Sequence, residues 1–176
     1  MTTSDTGLPA DLPGFDDPVE LLRACHSKMQ QHCDLLDRMI ERGTIDTEAR
    51  EAARNISRYF TQSAPLHHRD EEEDLFPRIN RQSLKIAELV HTLKKEHEIL
   101  DGLWQTMAAV LKRLPEDGFD ADFRRAAAEF TALNRQHIQR ENSELLPLAS
   151  NSLSEDVLKQ IGEAMARRRG VRYSAL

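Results

Sequence analysis

Two segments of the sequence carry a histidine and a glutamate four residues apart, followed by a short apolar stretch and a proline. The first segment is HHRDEEEDLFP at 67–77, and the second is HIQRENSELLP at 137–147. Side chains at positions i and i+4 of a helix lie on one face, so each imidazole can serve the same site as its carboxylate. Nitrogen and oxygen donors without thiolate suit iron, manganese or zinc. The two segments therefore predict metal binding.

The polar pairs share a helix face with apolar residues and should point into the protein. Successive residues of a helix are turned by about 100°. On the helix that carries the first pair, the shared side contains Ile56, Phe60 and Ala64. On the helix that carries the second pair, it contains Phe123, Phe130, Leu133 and Leu148. Burying carboxylates and imidazoles without partners is costly, and bound cations would remove that cost. We expect Glu71 and Glu141 to bridge two metal ions, with imidazoles as terminal ligands.

The two segments belong to a larger repeat. His67 and Glu71 recur 70 residues later as His137 and Glu141, and His26 recurs as His97 after 71 residues. This interval indicates a duplicated helical hairpin. His26 and His97 each lie beside the apolar stripe of their helix, and the separations within each hairpin agree, 41 residues from His26 to His67 and 40 from His97 to His137. The predicted metal ligands are His26, His67, Glu71, His97, His137 and Glu141.

The other histidines are weaker candidates. His32 competes with His26, but its 35-residue separation from His67 breaks the symmetry of the repeat. His91 falls on a polar helix face and is expected in solvent. His68 is turned about 100° from His67, where it could flank the site or form a hydrogen bond to a ligand.

The elements that must position these residues are four long helices, which place the chain in the all-α class. Capping residues and apolar periodicity predict helices from Asp16 or Asp17 to Gly43, from Asp46 or Thr47 to about Phe76, from Ser83 to about Arg113, and from Asp120 or Ala121 to a point before Pro147. Turn chemistry predicts a loop at 114–118. A shorter fifth helix is expected from Ser154 to Arg169.

Short connections imply antiparallel neighbours and an up-down-up-down four-helix bundle. We expect a mobile N-terminal tail at 1–14, the bundle at 15–150, and a short C-terminal helix packed on it within 151–176. The length of 176 residues suits this one-domain organisation.

Composition narrows the classes of partner. The net charge of -6 argues against nucleic acid, which requires a basic surface. The N-terminus has no signal-peptide pattern, and no apolar run reaches the ~20 residues that span a bilayer. Cys25 and Cys33 lie roughly 12 Å apart along one helix, too far for a disulfide. These features favour a cytoplasmic protein without a membrane partner, as a monomer or homodimer.

The two metal-binding segments resemble the signature helices of the hemerythrin-like, or HHE cation-binding, family. DPVELLRACH at 17–26 and KKEHEIL at 94–100 resemble that family's first and third helices. The resemblance implies a four-helix bundle around a non-haem di-iron centre. Its cofactor would be two oxo- or hydroxo-bridged iron ions, with zinc or manganese as alternatives.

The sequence also departs from oxygen-carrying members of that family. Those proteins use a fifth histidine, in an H-x-x-x-H pair on the third helix, whereas the positions four residues from His97 are Leu93 and Asp101. The fourth helix offers Glu141 at i+4 rather than an aspartate at i+5. The pattern is more similar to bacterial members linked to iron-centre repair and to nitric-oxide or oxidative stress. An iron ion with one fewer nitrogen ligand keeps an open or water-filled position.

Three functions follow as hypotheses. The leading one is a di-iron protein that binds oxygen, nitric oxide or peroxide, or that holds labile iron, in stress response or sensing. The second is an enzyme that reduces nitric oxide, turns over peroxide or oxidises ferrous iron at the same centre, although no separate general acid or base is evident. The third is a metal-free helical interaction module.

Overall fold

The structure is a computed structural model that describes residues 13–173, and it is all-helical across that range. Its α-helices are α1 (Pro18–Arg42), α2 (Thr47–Arg58), α3 (Ala64–Arg69), α4 (Phe76–Ile79), α5 (Leu84–Asp117), α6 (Ala121–Arg140), α7 (Leu146–Ser152) and α8 (Glu155–Arg168). Three π-helical turns, Tyr59–Ser63, Asp70–Leu75 and Glu141–Leu145, join α2 to α3, α3 to α4, and α6 to α7 without a break. The tail predicted at 1–14 falls almost entirely outside the described residues.

Short polar side chains begin the long helices where the sequence places them. In each case the capping oxygen accepts a hydrogen bond from the backbone N–H three residues ahead, which satisfies one free donor of the first turn. The caps are Asp17, Asp46, Ser83, Asp120 and Ser154. Gly43 ends α1 in the left-handed conformation, with φ of 63°. The predicted helix starts are therefore confirmed.

Each π-helical turn is followed by a proline. Pro65, Pro77 and Pro147 are all the second residue of the α-helical segment after the turn. Proline lacks an N–H, and its ring collides with the carbonyl four residues earlier, so the backbone widens there. In the two turns that contain predicted ligands, the backbone carbonyls of Glu71 and Glu141 accept the hydrogen bond that spans five residues.

Three helix ends differ from the sequence prediction. The second helix was expected to end at about Phe76 and the fourth before Pro147, but each continues through its proline after a widened turn, α4 to Ile79 and α7 to Ser152. The loop predicted at 114–118 is wrong, because α5 runs to Asp117 with Pro115 inside its last turn. A proline in that position costs few backbone hydrogen bonds. The N–H of Gly118 closes the turn on the Leu114 carbonyl, and the Leu114 side chain is buried in the core.

The core consists of two apolar clusters with a polar layer between them. Along α1, Leu22 belongs to one cluster and Met29 to the other, and His26 lies between them. Along α6 and the turn that follows it, Phe130 and Leu145 bracket the second histidine–glutamate pair in the same way. The helix α8 packs against α1 and the turn Asp70–Leu75. Within residues 13–173, no helix is both long and apolar enough to cross a membrane.

Candidate metal centre

The six predicted ligand residues meet in the polar layer, and all six are buried. They form two groups of four that share both glutamates. One group adds His26 and His67, and the other adds His97 and His137. In each group, one ligand atom from every residue lies within 4.8 Å of the others. The duplicated hairpin thus brings two half-sites together around a common pair of carboxylates.

Each glutamate points one oxygen at each histidine pair. Oε1 of Glu71 lies 3.5 Å from Nε2 of His67, and its Oε2 lies 3.5 Å from Nε2 of His97. Oε2 of Glu141 lies 3.0 Å from Nε2 of His26, and its Oε1 lies 3.1 Å from Nε2 of His137. Both carboxylates are therefore arranged to bridge two ions, one at each histidine pair.

The two imidazoles of each pair face one another through their Nε2 atoms. The Nε2–Nε2 distance is 3.1 Å between His26 and His67 and again 3.1 Å between His97 and His137. Two nitrogens bound to one ion at about 2.1 Å and at right angles are separated by about 3 Å. The spacing of each pair fits two ligands of a single metal ion.

The carboxylate oxygens also fit a cation because hydrogen bonds do not satisfy them. All four oxygens of Glu71 and Glu141 are buried and accept no hydrogen bond from the described residues. A buried charged oxygen without a donor costs several kcal/mol, of order ~3 or more. Two divalent cations would satisfy these oxygens and occupy the space between the histidine pairs.

Comparison with known proteins agrees with this geometry. The family model of the hemerythrin HHE cation binding domain matches residues 17–149, a span that contains all six residues. The chain belongs to this family. The resemblance inferred from the sequence is confirmed. An uncharacterized protein of Haemophilus influenzae is 30% identical to this HHE protein over 168 residues, which cover 93% of this chain and 96% of the relative.

Protonation in the HHE site follows from these contacts. Burial lowers the pKa of His26 and His97, but the carboxylates of Glu141 and Glu71, which lie close to Nε2 of both rings, outweigh burial and raise both pKa values to about 10. Burial raises the pKa of Glu71 and repulsion from Glu141 adds to this, but the surrounding histidines outweigh both and lower it to about 2. Burial lowers the pKa of His67 to about 4. Without metal, two imidazolium ions face two carboxylates.

The outer ring nitrogen of each histidine is Nδ1, which faces away from the glutamates. In three of the four histidines it has a hydrogen-bond partner that sequence reasoning missed. Nδ1 of His26 donates to Oδ1 of Asn142 at 2.7 Å, and Nδ1 of His97 donates to Oε1 of Glu72 at 2.6 Å. Asn142 and Glu72 each follow a bridging glutamate by one residue, so the repeat itself was the signal that could have found them. Such bonds orient metal-binding imidazoles and raise their basicity.

The fourth histidine has a partner on the neighbouring helix. Nδ1 of His137 donates to Oε2 of Glu96 at 2.8 Å, and Arg140 binds the other oxygen of that carboxylate. By contrast, Nδ1 of His67 is buried and makes no hydrogen bond to the described residues.

The remaining histidines lie in different surroundings. His32 belongs to neither group, and its ring packs edge-on against Tyr59 at 4.2 Å. His91 is exposed. The His68 ring stacks on that of His97 at 4.0 Å, and one of its nitrogens lies within 4.8 Å of ligand nitrogens of His97 and His137. His68 therefore flanks the second half-site.

A buried ion-pair network holds the turn that contains Glu71. Asp70 is fully buried, and Arg169 donates to its Oδ2 at 2.6 Å while Arg168 binds its other oxygen. Both arginines come from the end of α8 and its cap. Their contacts with Asp70 therefore tie α8 to the turn that contains Glu71. The thiols of Cys25 and Cys33 are free and buried.

Proposed function

We propose that this HHE protein is a non-haem di-iron protein in which His26, His67, His97 and His137 are terminal ligands and Glu71 and Glu141 bridge the two ions. The observation that carries the proposal is the shared pair of carboxylates, each directed at both histidine pairs while its oxygens lack hydrogen bonds.

The proposal includes an up-down-up-down four-helix bundle at 15–150 with the C-terminal helix packed on it. The four helical rods would be α1, α2 to α4, α5, and α6 to α7. Packing of α1 against α2 and α6, and of α5 against α2 and α6, supports this arrangement. Short connections between successive rods also favour antiparallel neighbours.

Iron is the metal we propose, with zinc or manganese as the ions that the same donors could accept. Each half-site offers two imidazole nitrogens and two carboxylate oxygens, a donor set without thiolate that suits all three metals. Four donors are fewer than an octahedral ion accommodates. When bound, the ions would supply open coordination positions for an exogenous ligand.

A cavity next to His68, which flanks this centre, supports a small ligand. This cavity of about 140 Å³ is lined by the apolar rings of Phe60, Trp104 and Phe130, and it reaches His68 beside the second half-site. Its size and apolar lining suit a diatomic molecule or peroxide rather than an extended substrate. We therefore propose that the protein binds oxygen, nitric oxide or peroxide, or holds labile iron, as a cytoplasmic stress-response or sensing protein.

The metal-free interaction module requires the buried polar groups to satisfy one another. The imidazolium forms of His26 and His97 offset the charge of the glutamates. However, the four carboxylate oxygens still accept no hydrogen bonds from the described residues, and Nδ1 of His67 has no partner there. This deficit favours the metal-binding function.

The test is to load metal-free protein with ferrous iron anaerobically and to record visible spectra before and after adding nitric oxide, oxygen or peroxide. We expect new charge-transfer bands in the wild type and none in Glu71→Ala. A wild-type spectrum that no ligand changes would contradict the small-ligand function. Catalytic turnover of nitric oxide or peroxide that Glu71→Ala abolishes would instead identify an enzyme at the same centre.

A further inference from the structure

The internal repeat allows the two half-sites to be compared position by position. The first half-site, His26 and His67, corresponds to the second, His97 and His137, and the two bridging glutamates correspond to each other. The positions adjacent to the ligands differ between the repeats, and three of these differences bear on the surroundings of the ligand rings: Cys25 corresponds to Glu96, His68 to Ile138, and Glu72 to Asn142. Glu96, Glu72 and Asn142 contact Nδ1 atoms of the ligand histidines, and His68 stacks on His97.

In the second half-site, both imidazoles donate to carboxylates. Nδ1 of His97 is 2.6 Å from Oε1 of Glu72, and Nδ1 of His137 is 2.8 Å from Oε2 of Glu96. Arg140 offsets part of the charge of Glu96. Within residues 13–173, no arginine or lysine forms an ion pair with Glu72, so Glu72 is the stronger acceptor of the two.

In the first half-site, neither imidazole donates to a carboxylate through its outer nitrogen. Nδ1 of His26 donates to the neutral amide oxygen of Asn142 at 2.7 Å. Nδ1 of His67 is buried without a hydrogen bond to the described residues, and the repeat places a thiol, Cys25, where the second half-site has Glu96.

The partners cross between the repeats. Glu72 follows the first bridging glutamate but serves His97 of the second half-site, and Asn142 follows the second bridging glutamate but serves His26 of the first. A single Glu-to-Asn difference between repeats therefore makes the half-sites unequal in charge, although the bridging glutamates themselves are shared equally.

A carboxylate that accepts the outer N–H makes an imidazole a stronger donor to a metal than an amide does, and partners of this kind change metal affinity by about 10–100-fold. The second half-site also has His68 stacked on His97, whereas the corresponding Ile138 offers no nitrogen. These three differences favour a cation at the second half-site, and Arg140, which corresponds to Asp70, offsets only part of the charge of Glu96.

We propose that the two metal positions are unequal: the position between His97 and His137 fills first and holds its divalent cation more tightly, and the position between His26 and His67 is the exchangeable one. This inference rests on the proposed two-metal function. It assigns any labile ion to one half-site and names Glu72 and Asn142 as the residues that set the difference.

The test is to crystallise metal-free protein with one equivalent of cobalt(II) and to measure the occupancy of each position by anomalous diffraction. Position-resolved data are needed because two cations that share carboxylates repel, so any titration would show two steps. We expect at least ~10-fold more cobalt at the second half-site. Equal occupancy, or preference for the first half-site, would overturn the proposal.

Matched variants identify the cause. Glu72→Gln keeps the size of the side chain and removes its charge, so it should reduce the preference, and Asn142→Asp should raise occupancy at the first half-site. Glu98→Gln is the control, because Glu98 is exposed beside His97 and binds Lys95. If Glu98→Gln changed occupancy as much as Glu72→Gln, general surface charge rather than the hydrogen bond would be responsible, and the proposal would fail.

The two proposals fail separately. If cobalt occupies neither position in folded wild-type protein, the two-metal function itself is wrong. If both positions fill equally, the two-metal function stands and only the inequality is wrong. Melting curves of each variant confirm folding, and Asn142→Asp keeps the test decisive should Glu72→Gln fold poorly.

Discussion

At the scale of single residues, Glu71 and Glu141 set the chemistry of the site because each must remain ionised inside the protein. Surrounding histidines lower the pKa of both carboxyl groups despite burial and mutual repulsion. Ionised carboxylates and neutral imidazoles are the forms that bind metal. The glutamates are therefore already in the metal-binding form, whereas His26 and His97 must first lose a proton.

Replacing Glu141 by glutamine should weaken binding of both ions, because one amide oxygen cannot replace a charged bridge. We expect the metal affinity to fall by at least ~100-fold, which is more than the loss caused by removing a residue that only hydrogen-bonds to a ligand. Competition with a chelator measures it. Glu144→Gln is the matched control, since Glu144 lies exposed in the same π-helical turn. Wild-type affinity in Glu141→Gln would refute the bridging role.

Metal binding near neutral pH should release two protons, one each from His26 and His97, whose pKa values are raised to about 10. Calorimetry in buffers of different ionisation enthalpy counts them. Release of no protons would show that these imidazoles are already neutral in the metal-free protein, which would contradict their raised pKa values. Substituting His32, which belongs to neither ligand group, should leave the count unchanged.

The pKa shifts of these groups also determine how the stability of the metal-free protein depends on pH. The raised pKa values of His26 and His97 contribute stability that is complete below the ordinary value of 6.5 and is lost as the pH rises towards 10. The lowered pKa of Glu71 contributes stability above 4.5 that is lost as the pH falls towards 2. Thermal unfolding without metal should give the highest Tm between these two ranges, and a Tm that rises steadily above pH 6.5 would contradict these assignments.

The repeat predicted six residues that the structure brings together in the buried polar layer, but sequence reasoning missed the partners of the histidine Nδ1 atoms. The sequence did not indicate a partner for Glu72, yet this residue reaches across to His97 on α5 and its side chain is only 39% exposed. Contacts between helices depend on the rotation of each helix about its axis, which periodicity alone does not give.

At the scale of elements, the polar caps predicted the helix starts correctly. The prolines predicted helix ends that the structure does not have. A proline normally terminates a helix because it lacks an N–H and crowds the preceding turn. Here Pro147 follows a widened π-helical turn, and Pro115 lies in the last turn of α5. The residues around these two prolines do not distinguish them from a proline that ends a helix.

Asp70 links the metal-binding turn to α8, so Asp70→Asn should destabilise the fold. It would leave Arg169 with a neutral partner in a buried network and would remove one carboxylate from Arg168, which keeps Glu73 and Asp74. Breaking such a buried pair costs about 3–5 kcal/mol. Urea unfolding of the metal-free protein measures the loss. Arg69→Gln breaks an exposed ion pair with Glu73 and should cost less than ~1 kcal/mol. Equal losses in both variants would contradict the anchoring role.

At the scale of the whole molecule, the metal centre lies between the two apolar clusters and draws its ligands from both repeats. A cation bound there connects α1, the rod from α2 to α4, α5, and α6. Ligand binding to the folded state alone stabilises a protein by about 3–4 kcal/mol at a hundred to a thousand times the dissociation constant. Metal should therefore stabilise the entire helical assembly.

Removing metal with a chelator should lower the Tm by roughly 6–16 °C, taking 2–4 °C per kcal/mol for a chain of this size. Differential scanning calorimetry with and without chelator measures the change. The Glu141→Gln variant should show a much smaller change. A wild-type Tm that chelation leaves unmoved would favour the metal-free interaction module.

The most direct test of the central claim is an anaerobic titration of metal-free protein with ferrous iron, followed by metal analysis and Mössbauer spectroscopy of the isolated protein. The two carboxylate-bridged half-sites predict saturation at two iron ions per chain, with spectra of high-spin iron bound by nitrogen and oxygen. Saturation at one ion or none, or uptake of two ions by a folded Glu71→Gln/Glu141→Gln double variant, would contradict the account.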